Sequence, residues 1–457
     1  MVHPQDSSSR QVTIMTMAAE FKPAPLPHAE LAINGDRLMQ TIAQVGDIGA
    51  LPEGGVRRLA FSPEDQQARH QVAAWMRDAG MRTVTDAAGN IIGRYPGRNL
   101  KAPALATGSH LDTVPKAGIY DGTYGVLAGL EVARTLHEQN IQLEHPLEVI
   151  VFADEERTMV GSKGMAGRAS LEADYYYHPD YPPIEESMAA IGGSWPVLAT
   201  AQRPKGSLAA FVELHVEQGP VLEAAAVPMG LVTGIVGQRR FLVTLEGQAS
   251  HAGTTPMTMR QDALVAASRV VLAVNRIGQL RDDVVSGDQV ATVGAMTLTP
   301  NVANTVPGQV QLTVDMRDMS NSSLDRMFAL LEDEAGAIAA VTQTKITITP
   351  QLRNEPIPAN PEVYNVIAQV CGDLGLATEP LPSRASHDAQ AMAHIADMGM
   401  IFVPSQGGIS HAETEYTLPE HCVAGANVLL HTLLRLDRYY RTGDDHATSD
   451  QGPASAP

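Results

Sequence analysis

The sequence predicts an α/β protein: a larger domain with a mainly parallel sheet flanked by helices, and a smaller α+β domain inserted into it. Three observations predict this. The run Leu147–Ala153, LEVIVFA, is almost unbroken in its apolarity, as a strand buried on both faces requires. It follows a helical stretch, Gly122–Gln139, which itself follows the short apolar run Ala102–Ala106, so strand, helix and strand form a βαβ unit. Finally, 457 residues exceed one ordinary core, and between Gly237 and Val341 the pattern changes to alternating strands with two helices. The expected division is a tail at 1–28, a discontinuous larger domain at 29–236 and 342–440, the inserted domain at 237–341, and a second tail at 441–457.

Each element has a local reason. His28–Gln44 sets Leu31, Leu38 and Ile42 on one helical stripe. Ser62-Pro63 starts a helix, with Ser62 as cap and Pro63 in the first turn, that stops at Gly80. Arg82–Asp86 and Asn90–Arg94 alternate as strands around Ala87-Ala88-Gly89. Gly161-Ser162-Lys163-Gly164 reads as a tight turn into a short helix, and Leu208–Val216 as another strand. In the inserted domain, Phe241, Val243 and Leu245 share one face, Asp262–Ile277 and Leu324–Val341 are helices, and Gln289–Leu298 and Gln309–Arg317 are strands; Lys345–Pro350 is a strand beyond its expected end. Asn360-Pro361 starts a helix to 374. A Met- and Ala-rich helix, the strand Met400–Val403 and the helix Pro419–Leu436 close the chain.

Composition excludes several function classes. A net charge of −19 opposes binding to a phosphate backbone, so no nucleic-acid partner is expected. No apolar run approaches the ~20 residues of a membrane span, and residues 1–28 contain no signal-peptide apolar region. Cys371 and Cys422 make no disulfide framework; two thiols packed as small hydrophobes suit a reducing, cytoplasmic setting.

The chemistry concentrates at Thr107–Gly125, TGSHLDTVPKAGIYDGTYG. His110 and Asp112 lie two apart at a strand end and face the same way; Asp121 follows, flanked by glycines that permit tight folding. Taken alone, this is a strand ending in a polar loop. However, the buried run Leu147–Ala153 ends in Asp154-Glu155-Glu156, Leu208–Val216 ends at His215, and His411 follows two glycines in GGISHAETE. In open α/β sheets ligands gather at the carboxyl ends of strands. His110, Asp121, Glu156, His215 and His411 supply three imidazoles and two carboxylates. That matches the roughly four to five ligands, one of them shared, that two metal ions need. Nitrogen and oxygen donors without thiolate favour Zn²⁺, Mn²⁺, Co²⁺ or Ni²⁺. Asp112 is expected to hold the His110 ring in one tautomer.

The blocks TGSHLDTV…YDGTYGV, FADEE, LHVEQGP, GQASHAGTTPM, NTVPGQVQLTVDMR and GISHAETE together resemble M20-type metallohydrolases, in the amidase/hydantoinase/carbamoylase branch. That branch includes N-carbamoyl-L-amino-acid hydrolases and allantoate amidohydrolases. The resemblance spans about Leu31 to Leu436. The histidine of LHVEQGP marks the branch, because the peptidase relatives commonly carry an acid there. The resemblance implies a catalytic domain plus an inserted lid and dimerisation domain, hence a homodimer. It implies one ion on His110, Asp121 and His215 and a second on Asp121, Glu156 and His411, with Glu155 as general base. It also implies a cis peptide after Asp121.

On the lid, His251 and Asn304 would stabilise the oxyanion and Arg317 would grip a substrate carboxylate with its planar fork; Gln218 would orient the carbamoyl amide. The implied substrate is a small ureido or carbamoyl acid. One departure stands out: the family commonly has Gly after the acid pair, where this chain has Arg157. His387, in SRASHDAQ, is a candidate for the substrate side. The rival readings are an allantoate amidohydrolase, a peptidase or deacylase on the same metals, and a metal-free binding protein.

Overall fold

The structure, a computed structural model, describes residues 30–285 and 289–447, with side chains described to residue 441. The expected tail at 1–28 and residues 448–457 of the second expected tail lie outside the described residues, whereas residues 441–447 of that tail continue the last helix. Two large sheets form the frame, and a third, two-stranded one pairs Ser250–His251 with Thr305–Val306. The larger has nine strands, and its centre is four parallel neighbours: Leu147–Phe152, Ala104–His110, Leu208–Val216 and Asp397–Val403. Its margins are antiparallel, with Ile91–Tyr95 and Arg82–Thr85 on one side and Met229–Ile235 on the other. Thr378–Ser383 runs parallel to Met229–Ile235.

Alternating residues of the central strands feed two cores. Leu105, Val149, Val151, Val212 and Leu214 pack against the helices Thr123–Glu138 and Pro419–Ala447, while Ala106, Ile150, Phe152 and Phe211 face the opposite layer. Covering on both faces explains why Leu147–Phe152 carries no polar alternation. Each such fully buried side chain contributes about 1.5–3 kcal/mol.

The helix starts follow their caps. The side chain of Ser62 accepts from the Asp65 amide, that of Asp262 from Leu264 and Val265, and that of Asn360 from Glu362 and Val363. The smaller sheet is antiparallel throughout, in the order Lys345–Asn354, Gly237–Glu246, Gln309–Asp318, Val290–Thr299. The helices Ala263–Gly278 and Asn321–Thr342 cover the face bearing Phe241, Val243, Leu245, Val310, Leu312 and Val314.

Five sequence expectations need correction. The first helix is Gly35–Gly46 rather than His28–Gln44, so Leu31 precedes it. The expected boundary at Val341 is too early, because Lys345–Asn354 pairs along the whole of Gly237–Glu246 and so belongs to the smaller sheet. The last helix runs to Ala447 rather than Leu436. Gly161-Ser162-Lys163-Gly164 lies inside the helix Val160–Met165. The Asp121–Gly122 peptide is trans, the only cis peptide among the described residues being Thr299–Pro300; Gly122 makes the turn with φ 63° instead. The strands Met229–Ile235 and Thr378–Ser383 carry no strand pattern of their own, since MGLVTGI is interrupted by glycine and TEPLPS by two prolines.

Candidate metal centre

Four neighbouring parallel strands deliver the polar residues to one edge. His110 ends its strand, His215 is the penultimate residue of the next, Asp154-Glu155-Glu156 follow Phe152, and the loop after Val403 carries His411. Asp121 stands at the middle. Its Oδ1 lies 3.2 Å from His215 Nε2 and 3.6 Å from His110 Nε2, and its Oδ2 lies 3.2 Å from His411 Nε2. Glu156 Oε2 is 3.5 Å from His411 Nε2, and Glu155 Oε2 is 3.6 Å from His110 Nε2. Three triads have their donor atoms within 4.8 Å of one another: Glu213–His215–His387, all buried, and the two at Asp121, His110–Asp121–His215 and Asp121–Glu156–His411. Asp121 belongs to both.

The surroundings fix these side chains. His110 Nδ1 lies 2.9 Å from the Asp112 carbonyl and His215 Nδ1 2.9 Å from the Val216 carbonyl, so both rings turn Nε2 toward Asp121. Gly122 is required beside them: a Cβ there would fall 2.4 Å from His110 Nε2. Asp154, Gln218 and His411 all have positive φ, between 54° and 58°, an unfavourable conformation for non-glycine residues that clusters where function demands it.

Charge is crowded at this edge. Burial, and then the charges of Asp388, Glu156, Asp112 and Asp121, push the Glu155 carboxyl well above the ordinary range. Burial and Asp121 do the same to Glu156. For Asp121, burial is the largest single effect and acts upward, but hydrogen bonds with His215 and His411 together hold it well below the usual value. Burial lowers His215, yet its bond to Asp121 and that carboxylate's charge raise it to about 9. Burial lowers His110. Among the described residues, Glu156 Oε1 is buried and finds no hydrogen-bond partner. An orphaned carboxylate oxygen beside converging imidazoles fits a bound cation.

Two expected contacts take another form. The Asp112 carboxylate sits 4.0 Å from His110 Nδ1, too far to orient it; it accepts instead from the backbone amides of Glu155 (3.4 Å) and Glu156 (3.2 Å). Asp112 therefore holds His110 through its carbonyl and the acid pair through its side chain. Gln218 does not point to open space: its Nε2 donates to Asp121 Oδ2 at 2.8 Å.

The lid residues make their bonds elsewhere. His251 and Asn304 are exposed, and His251 Nδ1 accepts from the Gly253 and Thr254 amides. Arg317 donates to Asp315 and to the Arg384 carbonyl. His387 is buried behind His215, with ring centroids 4.5 Å apart, and its Nε2 lies 2.8 Å from Ser383 Oγ, so it supports the ligand layer rather than facing substrate. Arg157 turns away from the acid pair to Asp154, its guanidinium 4.2 Å over the Tyr181 ring.

Sequence reasoning gave no role to several groups. Glu415 accepts from the Tyr120 and Asp121 amides and from Ser410 Oγ, pinning the turn that carries Asp121. Glu213 accepts from Ser109 Oγ and the Ala389 amide beneath His215. Arg58, fully buried, donates to the carbonyls of Val45, Ile48 and Leu111 and to Thr123 Oγ1. Glu415 had a signal, its place four residues after His411 in GGISHAETE; the others had none.

A parallel sheet whose carboxyl edge gathers imidazoles and carboxylates around one shared aspartate, joined to a small antiparallel domain, defines the class of two-domain α/β proteins with a metal-binding edge. The chain belongs to peptidase family M20/M25/M40, which it matches over residues 106–435, and within it to the hydantoinase/carbamoylase branch. It is 38% identical over 409 residues to an N-carbamoyl-L-amino acid amidohydrolase of Geobacillus stearothermophilus, covering 88% of this chain and 99% of the relative. It is 35% identical over 402 residues to an allantoate amidohydrolase of Bacillus subtilis, covering 86% and 96%. A hydantoinase/carbamoylase family amidase from Burkholderia multivorans superposes with a TM-score of 0.82 at 38% identity, covering 89% of this chain and 98% of that one.

Proposed function

We propose that this chain is a metal-dependent amidohydrolase that cleaves the ureido C–N bond of N-carbamoyl-L-amino acids, converting substrate and water to the amino acid, ammonia and CO₂. The observation that carries the reading is the pair of ligand triads sharing Asp121, one of them completed by His215. His110, Asp121 and His215 would hold one divalent ion and Asp121, Glu156 and His411 a second, zinc, manganese, cobalt or nickel. Bound there, such ions supply Lewis acidity at the scissile carbonyl and lower the pKa of water.

The chain's own groups do the rest. Glu155, buried beside His110, takes the proton of the attacking water and returns it to the leaving nitrogen. Gln218 keeps Asp121 in register. His251 and Asn304, presented by the smaller domain, donate to the oxyanion, and Arg317 receives the substrate carboxylate with its fork. The second reading, an allantoate amidohydrolase, is favoured by the comparable identity to the Bacillus subtilis relative.

An ammonia-release panel with each of the four metals tests both readings. It covers N-carbamoyl-L- and D-amino acids, N-carbamoyl-β-alanine, ureidoglycolate and allantoate. Turnover of N-carbamoyl-L-amino acids above all others supports the first reading, and allantoate leading supports the second. Acetate release from N-acetyl amino acids without ammonia release from any ureido acid overturns both. We also propose a homodimer through the smaller domain, supported by its edge strand Val290–Thr299, where Val290 and Met296 are exposed.

A further inference from the structure

The open face of the smaller sheet carries a charged group that the proposed reaction does not use. Residues 238 and 240 of one strand and 315 and 317 of its neighbour share a face, since Arg240 pairs with Asp315 and Gln238 with Arg317. The opposite face is the apolar one under the helices. Asp315 gathers four donors from three side chains. Its Oδ1 accepts from Arg317 Nε at 2.8 Å, and its Oδ2 accepts from Arg240 Nε at 3.2 Å, from Arg240 Nη2 at 3.0 Å and from the Gln238 amide. One carboxylate thus holds two guanidinium planes side by side and cancels one of their two charges.

Donors remain on both. Arg317 Nη1 reaches the Arg384 carbonyl of the larger domain at 2.5 Å, so this end of the sheet abuts the loop that leads to His387, whose ring packs on that of His215. Among the described residues, Arg317 Nη2 and Arg240 Nη1 have no hydrogen-bond partner. The Arg240 side chain is 40% exposed. Burial opposes ionisation of Asp315, but the bonds from Arg317, Gln238 and Arg240 hold its carboxyl below the ordinary range, so the bridge is charged at neutral pH.

We propose that Asp315 is a positioning residue that joins Arg240 and Arg317 into one two-fork platform, and that the preferred substrates are ureido acids with a second acceptor oxygen besides the α-carboxylate. This rests on the reading of Arg317 as the carboxylate contact. Arg317 takes the α-carboxylate, and Arg240, two register pairs along and on the same face, takes the second oxygen. That oxygen belongs either to a side-chain carboxylate, as in N-carbamoyl-L-aspartate or N-carbamoyl-L-glutamate, or to a second ureido group, as in allantoate.

The test measures kcat and KM for these three substrates and for N-carbamoyl-L-valine. The proteins are the metal-loaded wild type, Arg240→Leu, Arg240→Lys, Asp315→Asn and, as a remote surface control, Arg276→Leu. Wild type is expected to prefer at least one two-acceptor substrate. Arg240→Leu lowers the kcat/KM ratio of that substrate to the valine derivative by about tenfold, the worth of one charge-assisted hydrogen bond, and Arg240→Lys restores part of it. Asp315→Asn raises KM for every carboxylate substrate more than it lowers kcat, a split that general destabilisation does not give. Whichever substrate loses most in Arg240→Leu identifies the source of the second oxygen. Ammonia release with a ratio and KM unchanged within twofold in Arg240→Leu and Asp315→Asn overturns this inference alone. Ammonia release from none of the substrates overturns the functional reading with it.

Discussion

Glu155 shows how one side chain is tuned by its neighbours. Its carboxyl is buried among Asp388, Glu156, Asp112 and Asp121, and that crowding raises its affinity for a proton. Its Oε2 lies 3.6 Å from His110 Nε2, at the rim of the triads, where a carboxylate can take a proton from water and return it to a leaving nitrogen. Glu155→Gln keeps the shape and removes the base, so turnover should fall roughly a thousandfold. The triads do not include Glu155, so metal content by elemental analysis should be unchanged. Loss of metal together with activity would instead make Glu155 a ligand. Asp112 shows where residue-level reading fails. Its spacing from His110 was legible, but the choice between carbonyl and carboxylate was not, because it depends on where the distant loop at Glu155 and Glu156 presents its amides.

At the scale of elements, the sequence was informative wherever a local rule decides. The caps at Ser62, Asp262 and Asn360 and the apolar runs of the central strands lie where propensity and periodicity place them. It was least informative where partners are remote. Glu415 meets the Asp121 amide across 294 positions, and Lys345–Asn354 joins the smaller sheet through a pairing that no local pattern announces.

Two element-level couplings carry predictions. Arg58 ties the helix Gly35–Gly46 and its exit to both flanks of the metal stretch, at Leu111 and Thr123. Burial lowers its guanidinium only to about 10, so it stays charged at neutral pH. Arg58→Met leaves these acceptors unsatisfied, and chemical denaturation should show a loss of about 3 kcal/mol, with weaker retention of metal in dialysis.

Asp437 of the last helix accepts from the Glu144 amide, the His145 amide and His145 Nδ1. Burial acts upward on its carboxyl, but these bonds hold it below the ordinary value. A depressed carboxyl contributes its full stabilisation above the unfolded pKa of about 3.9 and loses it as pH falls through the folded value. Asp437→Asn should therefore be about 1–3 kcal/mol less stable than wild type at pH 7. In melts at successively lower pH, that gap should narrow below about pH 4 and not between 5 and 8.

For the whole molecule, the question is what the smaller domain is for. Its helices protect one sheet face, its open face carries the Asp315-bridged arginines, and the short pair Ser250–His251 and Thr305–Val306, with the residues around it, exposes His251 and Asn304. None of these requires a long edge strand with exposed Val290 and Met296, which is a template for pairing with another chain. Pairing two copies along Val290–Thr299 would satisfy that edge and make one continuous sheet of two smaller domains. If so, a charge on the edge should separate the copies without disturbing the distant metal centre. Light scattering behind gel filtration should give twice the chain mass for wild type and the single-chain mass for Met296→Lys, with the same bound metal per chain. Wild type eluting at single-chain mass at micromolar concentration would remove the dimer. A dimeric Met296→Lys would move the contact to another surface.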